Sequence, residues 1–199
     1  MSKSVILAAE GVLFPRVLDR VLDTAAVASG LDRLEIRARW QADAEDPYLR
    51  GRIPETYIWD WLGQYSKTDP DLWRETLWST LCPLASAGFL SRMSRWADIH
   101  IISETRAEWL RPVIRNEGLL PFLASLHFSS ETGLRQPDLL AVPEPRGREV
   151  WVVDRAEASG AALRLGYRPI EGDRRMRWLQ TMIHELSGRG PQQHLVPTI

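Results

Sequence analysis

The sequence predicts an α/β protein in which a parallel β-sheet is flanked by helices and interrupted by an all-helical insertion. Four short apolar runs carry the first part of this prediction: residues 5–8, 99–102, 126–128 and 150–153. Each run is followed by polar residues and then by a helical pattern, as expected of buried parallel strands joined by helices. The second part comes from residues 15–95, which show helical periodicity and no strand pattern.

Two helices of the sheet region follow from the spacing of their apolar residues. The first begins near Arg106 and has one apolar face: Trp109, Leu110, Val113 and Ile114. The second follows Asp154 and has a face of small and apolar residues: Ala158, Ala161, Ala162 and Leu165. Gly118 is placed to end the first helix. Residues 167–170 predict a short last strand.

Three apolar stripes predict helices within the insertion. In chain order they are Val17, Leu18, Val21, Leu22 and Ala25, then Tyr57, Ile58, Trp61, Leu62 and Tyr65, then Leu72, Trp73, Leu77 and Leu81. We therefore expect a core formed by residues 1–14 and 96–187, with residues 15–95 as the helical insertion. The Gly-, Pro- and Gln-containing segment 188–199 is expected to be a mobile tail.

Composition narrows the possible functions. The chain has 199 residues and a mass of 22.7 kDa, and 25 basic against 26 acidic side chains give a net charge of −1. No overall basic field favours nucleic acid or a membrane surface, and no segment reaches the run of about 18 apolar residues of a membrane helix. The single cysteine, Cys82, excludes an internal disulfide framework. A cytoplasmic location is expected.

Polar residues follow each predicted strand, where the carboxyl ends of parallel strands bind ligands. Glu10 follows the first strand, Ser103 the second and Gln136 the third, and Asp154 and Arg155 follow the fourth. The four histidines, His100, His127, His184 and His194, are isolated and lack metal-ligand spacing. The strand ends are therefore the predicted site.

Four segments resemble, in order, the motifs of the haloacid dehalogenase (HAD) superfamily of phosphatases and dehalogenases. Residues 5–14 (VILAAEGVLF) resemble the first motif, an apolar strand followed by Asp-x-Asp-Gly-Val-Leu-Phe. Residues 101–110, 130–138 and 150–155 resemble the second, third and fourth motifs, and residues 51–55 with their helix resemble the family's inserted helical cap. The resemblance spans residues 4–186 and implies a Rossmann-like core carrying a helical cap.

Four positions depart from the residues that this resemblance implies. Ala8 stands where the family has its nucleophilic Asp, and a methyl group cannot attack a substrate. The Asp that acts as general acid and base is replaced by Glu10, which is one methylene longer. Gln136 stands where the family has a lysine that steadies the phosphoryl charge, and Arg155 stands where the family has an Asp that holds magnesium. The sequence thus predicts a degenerate catalytic site.

Only Ser103 and Asp154 match their motif positions. With Glu10 and Asp154 set against Arg155, the site offers few ligands to Mg²⁺, which prefers oxygen ligands in an octahedral array. We therefore expect no cofactor and no bound magnesium, with Arg155 within salt-bridge reach of Glu10 or Asp154. Two simpler interpretations stay open: Asp154 caps the helix that follows it, and Gln136 is a solvated loop side chain.

The favoured functional prediction is a pseudoenzyme, phosphatase-like in fold, that binds a small ligand or a protein partner. Ser103 and Arg155 are the candidate ligand contacts. The alternative is a HAD-like hydrolase of the phosphatase or dehalogenase type with a non-standard mechanism using Glu10 and Ser103. A homo-oligomeric structural protein with an idle cleft is a third possibility.

Two tryptophans of the insertion bear on the choice of partner. Trp59 and Trp78 lie roughly opposite the apolar stripes of their helices. Exposed tryptophan is costly and is common at interfaces. Each residue therefore packs inside the molecule or contacts a second copy or another protein.

Overall fold

A parallel sheet forms the centre of the protein in a computed structural model that describes residues 3–65, 69–145, 149–154, 159–172 and 178–187. Within these residues the sheet has five strands: β1 (Lys3–Ala8), β2 (Ala97–Ser103), β3 (Ser125–Phe128), β4 (Glu149–Asp154) and β5 (Arg168–Glu171). Their order is β3-β2-β1-β4-β5, and all neighbours are parallel. The strands predicted from the apolar runs are confirmed, and so is the α/β fold class.

The register places the predicted site at the middle of the sheet. β1 lies between β2 and β4, with Ala8 paired to Ile102 and Leu7 paired to Val153. The residue after each of these partners, Ser103 or Asp154, therefore lies beside the end of β1. Both faces of β1 are buried because its side chains alternate between two apolar clusters.

Six helices occupy the described part of the insertion: α1 (Val17–Ser29), α2 (Arg33–Asp43), α3 (Glu45–Leu49), α4 (Tyr57–Gly63), α5 (Pro70–Thr80) and α6 (Ala87–Met93). The three predicted stripes lie on α1, α4 and α5. Trp61 and Trp73 are buried as expected, whereas Leu72 is 52% exposed and lies off the buried face of α5. The buried residues of the insertion belong to the same apolar cluster as one face of the sheet.

The described residues contain four more α-helices, α7 (Ala107–Asn116), α8 (Ser129–Thr132), α9 (Ser159–Arg164) and α10 (Trp178–Ser187), and two short 3-10 helices, Leu120–Phe122 and Asp138–Ala141. The sequence predicts α7 and α9 but assigns no helix to α10. The sequence does carry a helical pattern for α10, because the apolar residues Trp178, Met182 and Leu186 recur every four positions, and all three are buried. None of the described helices is both long and apolar enough to cross a membrane. The expected mobile tail, 188–199, lies outside the described residues.

Trp59 and Trp78, which the sequence analysis treats alike, differ in how far they are exposed. Trp59 is only 3% exposed, and its indole N–H donates to Glu55 Oε1 at 3.1 Å. Its ring packs against Trp109 of α7 with 5.8 Å between centroids. The hypothesis that Trp59 faces a partner is therefore wrong, because Glu55 satisfies its polar atom inside the fold. Trp78 remains 47% exposed.

Candidate functional site

A tight loop after β1 aims Glu10 across the sheet. The carbonyl of Ala9 accepts from the backbone N–H groups of Leu13 and Phe14, at 3.0 and 2.8 Å, so the chain turns back at once. Gly11, with a φ of 80°, allows this turn in the left-handed region that favours glycine. Glu10 therefore stands at the carboxyl end of the central strand, next to the loop that follows β2.

The Glu10 carboxylate binds that second loop through three donors. The Ser103 hydroxyl donates to Oε1 at 2.6 Å, and the Thr105 backbone N–H donates to the same oxygen at 2.7 Å. The Glu104 backbone N–H donates to Oε2 at 3.3 Å. Ser103 is 1% exposed, and its oxygen also accepts from the Thr105 N–H at 3.0 Å. Glu10 thus joins the ends of β1 and β2.

Gln136 and Asp154 form the other half of the site. Gln136 Nε2 donates to Asp154 Oδ2 at 2.6 Å, an orientation that keeps the amide oxygen away from the carboxylate. Gln136 Oε1 is buried without a hydrogen-bond partner in the described part of the chain. The interpretation of Gln136 as a solvated side chain is therefore wrong. Its loop is fixed by Glu104 Oε1, which accepts from the Gln136 N–H at 3.1 Å and from Arg135 Nε at 3.0 Å.

These residues line one cavity of about 170 Å³. Ala8, Glu10, Gln136 and Asp154 form its floor at the carboxyl ends of the strands. Ser103 lies behind Glu10 and is not part of the lining. Residues 155–158 lie outside the described residues, so neither the predicted ion pair of Arg155 nor the capping role of Asp154 is described.

The insertion supplies much of the cavity wall. Seven of the lining residues come from the loop before α1 and from the first and third helices: Arg16, Val17, Leu18, Asp19, Glu45, Tyr48 and Leu49. Arg106 and Trp109 add a wall at the start of α7. The sequence analysis did not assign any of these residues to the site, and no motif marks those of the insertion. The available signal was that Arg106 and Trp109 lie within residues 101–110, the segment resembling the second motif.

Arg106 ties the insertion to α7. Its guanidinium is buried and donates to the carbonyls of Tyr48 and Ile53 at 3.0 and 3.1 Å. It also pairs with Glu108 at 2.7 Å and lies 5.1 Å from the centre of the Tyr48 ring. Burial raises the pKa of the Tyr48 hydroxyl well above its ordinary value. Tyr48 therefore contributes a neutral aromatic wall.

Every arginine of the lining has a carboxylate partner. Arg16 Nε lies 2.9 Å from Asp19 Oδ2. Arg135 faces three carboxylates, those of Glu104 at 3.0 Å, Asp46 at 3.6 Å and Glu45 at 4.0 Å. Among the described residues, the lining holds five carboxylates and three guanidinium groups. Its charge balance is acidic.

The residues that are described do not fit a magnesium ion. Ala8 offers a methyl group, the Glu10 oxygens accept from three protein donors, and Asp154 Oδ2 accepts from an amide. In the described ranges, no three His, Cys, Asp or Glu side chains are grouped so that they could hold a metal. This donor set lacks the oxygen-rich octahedral arrangement that Mg²⁺ demands.

Comparison with solved structures defines the class of fold. A predicted HAD-like family hydrolase from Porphyromonas gingivalis superposes with a TM-score of 0.68 at 18% identity, over 96% of this chain and 100% of that one. A HAD family enzyme from Bacteroides thetaiotaomicron gives 0.73 at 16% identity, over 90% and 98%. The L-2-haloacid dehalogenase of Xanthobacter autotrophicus, solved with chloropropionic acid covalently bound, gives 0.55 at 20% identity, over 85% and 76%.

The chain therefore has the fold of the HAD-like hydrolases, as the four motif-like segments predict. Neither a protein-family model nor a curated protein matches the sequence. The Bacteroides enzyme has also been solved with magnesium and inorganic phosphate, both as the wild-type protein and as an aspartate-to-alanine variant.

Proposed function

We propose that this chain is a HAD-fold pseudoenzyme whose cleft binds a small ligand and does not perform covalent hydrolysis. The observation that carries the proposal is Ala8. It ends the central strand on the cavity floor, where the resemblance expects the attacking aspartate. A methyl group has no lone pair with which to form the covalent intermediate.

The neighbours of Ala8 support the same proposal. Both oxygens of Glu10 are engaged by the loop that follows β2, so contact with a leaving group would compete with the bonds that hold that loop. Gln136 is neutral and donates to Asp154. Gln136 therefore supplies no positive charge to a phosphoryl group that is being transferred. The described donor set also does not fit magnesium.

A second candidate function, a hydrolase that uses Glu10 and Ser103, is favoured by the distance between these two side chains. Ser103 Oγ lies 2.6 Å from Glu10 Oε1, which is within the range of a hydroxyl nucleophile and its general base. A hydrolase that uses Glu10 and Ser103 would need this hydroxyl to reach the substrate. Ser103 is buried behind Glu10 and does not line the cavity, so we place it as a positioning residue.

The helical insertion acts in this proposal as a cap. It contributes the wall opposite the strand ends, including Tyr48 and Leu49. Trp78 is the remaining candidate for contact with a second copy or another protein, because its ring is exposed on α5. Size-exclusion chromatography with light scattering on the full chain and on Trp78→Ala tests that part. A concentration-dependent dimer that the substitution abolishes would support it, whereas a monomer at all concentrations contradicts it.

The principal test is an assay with p-nitrophenyl phosphate and with 2-chloropropionate, each with and without magnesium. We expect no turnover above buffer for either substrate. Glu10→Gln and Ser103→Ala serve as matched variants. Activity that persists through repurification and is lost in both variants would establish the Glu10–Ser103 mechanism. Magnesium-dependent phosphatase activity that chelator abolishes would overturn the proposal.

A further inference from the structure

We infer that Arg106 locks the helical insertion onto the core, so that the cavity keeps one shape and the insertion does not open and close over it as a lid. The insertion is joined to the core by the chain at both of its ends, and such connections can act as a hinge. Whether they do depends on the contacts that the insertion makes with the core elsewhere. The lock concerns motion, and it holds whether the cleft binds or hydrolyses its ligand.

A second attachment, which we call the seam, joins residues 48–55 of the insertion to α7 and α8. Arg106, just before α7, donates to the carbonyls of Tyr48 and Ile53 at 3.0 and 3.1 Å. Arg106 is only 5% exposed. A small rotation of the insertion would take these two acceptors away before water could replace them, which is costly for a buried charge. The guanidinium therefore resists the first stage of opening.

The seam continues onto α8 through two further hydrogen bonds. Ser129 Oγ is fully buried and donates to the Leu49 carbonyl at 2.7 Å. Arg50 Nη1 donates in the other direction, to the Gly133 carbonyl, at 2.7 Å. All four bonds of the seam end on main-chain carbonyls, so they fix the backbone of the insertion against that of the core.

Aromatic side chains pack beside these bonds. Glu55 Oε1 accepts the indole N–H groups of Trp59 in the insertion and of Trp109 in α7, at 3.1 and 2.6 Å. The two rings lie 5.8 Å apart between centroids, and each residue is only 3% exposed. Opening would separate the rings and expose a large apolar surface to water. Contacts from residues outside the described ranges would add to the seam and remove none of its bonds.

The test is thiol labelling of a cysteine placed in the seam. Cys82 is exposed and is the only cysteine of the chain, so the background is Cys82→Ser. Ser129→Cys reports opening of the seam, and Val5→Cys, buried in the central strand, reports global unfolding. We expect both cysteines to react with Ellman's reagent at rates within about threefold of each other, rising in parallel as urea is added. Faster labelling at position 129, at a rate that low urea does not change, would overturn the lock.

Arg106→Gln tests the residue to which the lock is assigned. It removes the guanidinium that reaches both carbonyls, and it should raise the labelling rate at position 129 relative to position 5 by about tenfold or more. The matched control is Arg111→Gln on the same helix, because the ion pair of Arg111 with Glu131 lies within the core. This control should leave the ratio of the two rates unchanged. An unchanged ratio in Arg106→Gln would overturn the assignment.

A second measurement leaves every bond of the seam in place, in case Ser129→Cys itself loosens it. Spin labels on Ser79→Cys in α5 and Glu117→Cys after α7, both exposed positions, report the distance between insertion and core by double electron–electron resonance. We expect one narrow distance distribution, which Arg106→Gln broadens. A second, longer distance with the native seam would overturn the lock. None of these readouts involves a ligand or turnover, so the proposed function stands or falls by its own assay.

Discussion

The hydroxyl of Ser103 donates to Glu10 Oε1 across 2.6 Å, joining two residues that lie 93 positions apart in the chain. This bond closes the gap between the loops that follow β1 and β2. Glu10 lies on the floor of the site and Ser103 lies behind it, so the shape of the floor depends on this contact. The Glu10 carboxylate serves here as a structural acceptor.

Ser103→Ala should therefore lower stability. It removes one donor to a carboxylate, and a hydrogen bond to a charged group contributes about 1.5–3 kcal/mol to the free energy of unfolding. For a chain of this size, thermal unfolding should show a melting temperature lower by about 3–10 °C. The control is Ser79→Ala, an exposed hydroxyl bonded only within its own helix. A Ser103→Ala protein as stable as this control would contradict the structural role.

Gly51→Ala should destabilise the junction between the insertion and α8. Gly51 has a φ of 71°, and an added Cβ would lie 2.0 Å from the carbonyl oxygen of Ser130. Neither backbone can yield easily, because Ser129 Oγ also donates to the Leu49 carbonyl at 2.7 Å. We expect a loss of about 3 kcal/mol or more, as is typical of backbone strain combined with a clash.

Gly30→Ala is the matched control for that substitution. Gly30 has a φ of 70° but nothing within 4 Å of an added Cβ. The left-handed conformation alone costs about 1–2 kcal/mol. Urea unfolding of both variants should separate the clash from the backbone cost, and equal losses at the two positions would show that the approach to Ser130 is not limiting.

Stability should fall on acidification because of two histidines on neighbouring strands. His100 Nδ1 and His127 Nε2 both contact Ser125 Oγ, at 2.8 and 2.7 Å. Burial lowers the pKa of each imidazole below its usual value of about 6.5. The unfolded chain therefore binds protons more readily below that pH. Each histidine should reduce the free energy of unfolding by at most about 1.4 kcal/mol per pH unit below pH 6.5.

The measurement is urea unfolding between pH 7.5 and pH 5 for the native chain and for His100→Gln with His127→Gln. Carboxylates also contribute to acid sensitivity, so the difference between the two curves isolates the imidazoles. The double variant should show the shallower dependence. Parallel curves would mean that the two imidazoles titrate alike in the folded and unfolded states.

Restoring one carboxylate should not restore catalysis. In Ala8→Asp the new side chain would face Glu10 and Asp154 on the same floor, where like charges about 4 Å apart repel by roughly 1–4 kcal/mol. No lysine stands at position 136 to offset this repulsion. The combination of Ala8→Asp, Glu10→Asp, Gln136→Lys and Arg155→Asp rebuilds the charge pattern that the resemblance implies, and effects within such a unit are strongly non-additive.

Initial rates on p-nitrophenyl phosphate, with and without magnesium, compare these variants. We expect no turnover from the single substitution, and the quadruple variant is the one expected to gain activity. Turnover by Ala8→Asp alone would show that Ala8 is the only defect of the site.

The strands and the floor of the site could be predicted because both depend on local signals. Apolar runs fix the strands, and the residues that follow them fall at one edge of a parallel sheet. The direction in which a side chain points depends also on residues that are distant in the sequence. Ser103 points at Glu10 and does not line the cavity, and Trp59 is buried against Trp109 while Glu55 accepts its N–H. Helix α10 had an apolar period that the prediction overlooked.

The cavity wall could not be predicted from the sequence. Arg16, Tyr48 and Arg135 come from three separate stretches of chain that meet only when the insertion folds over the strand ends. The charge compensation of the arginines depends on the same tertiary contacts. Arg155 lies outside the described residues, so its ion pair stays a prediction.

The central position of β1 has a consequence for how the chain is made. Lys3 pairs with Ala97 on one side and with Glu149 on the other. β1 therefore stays unpaired during synthesis until the helical insertion and β2 have been made, and its second edge stays open until β4 has been made. Contacts so distant in sequence slow folding, and an unpaired apolar strand is prone to aggregate in the interval. The helices synthesised between β1 and β2 share its apolar cluster, so they can shield the nascent strand during translation.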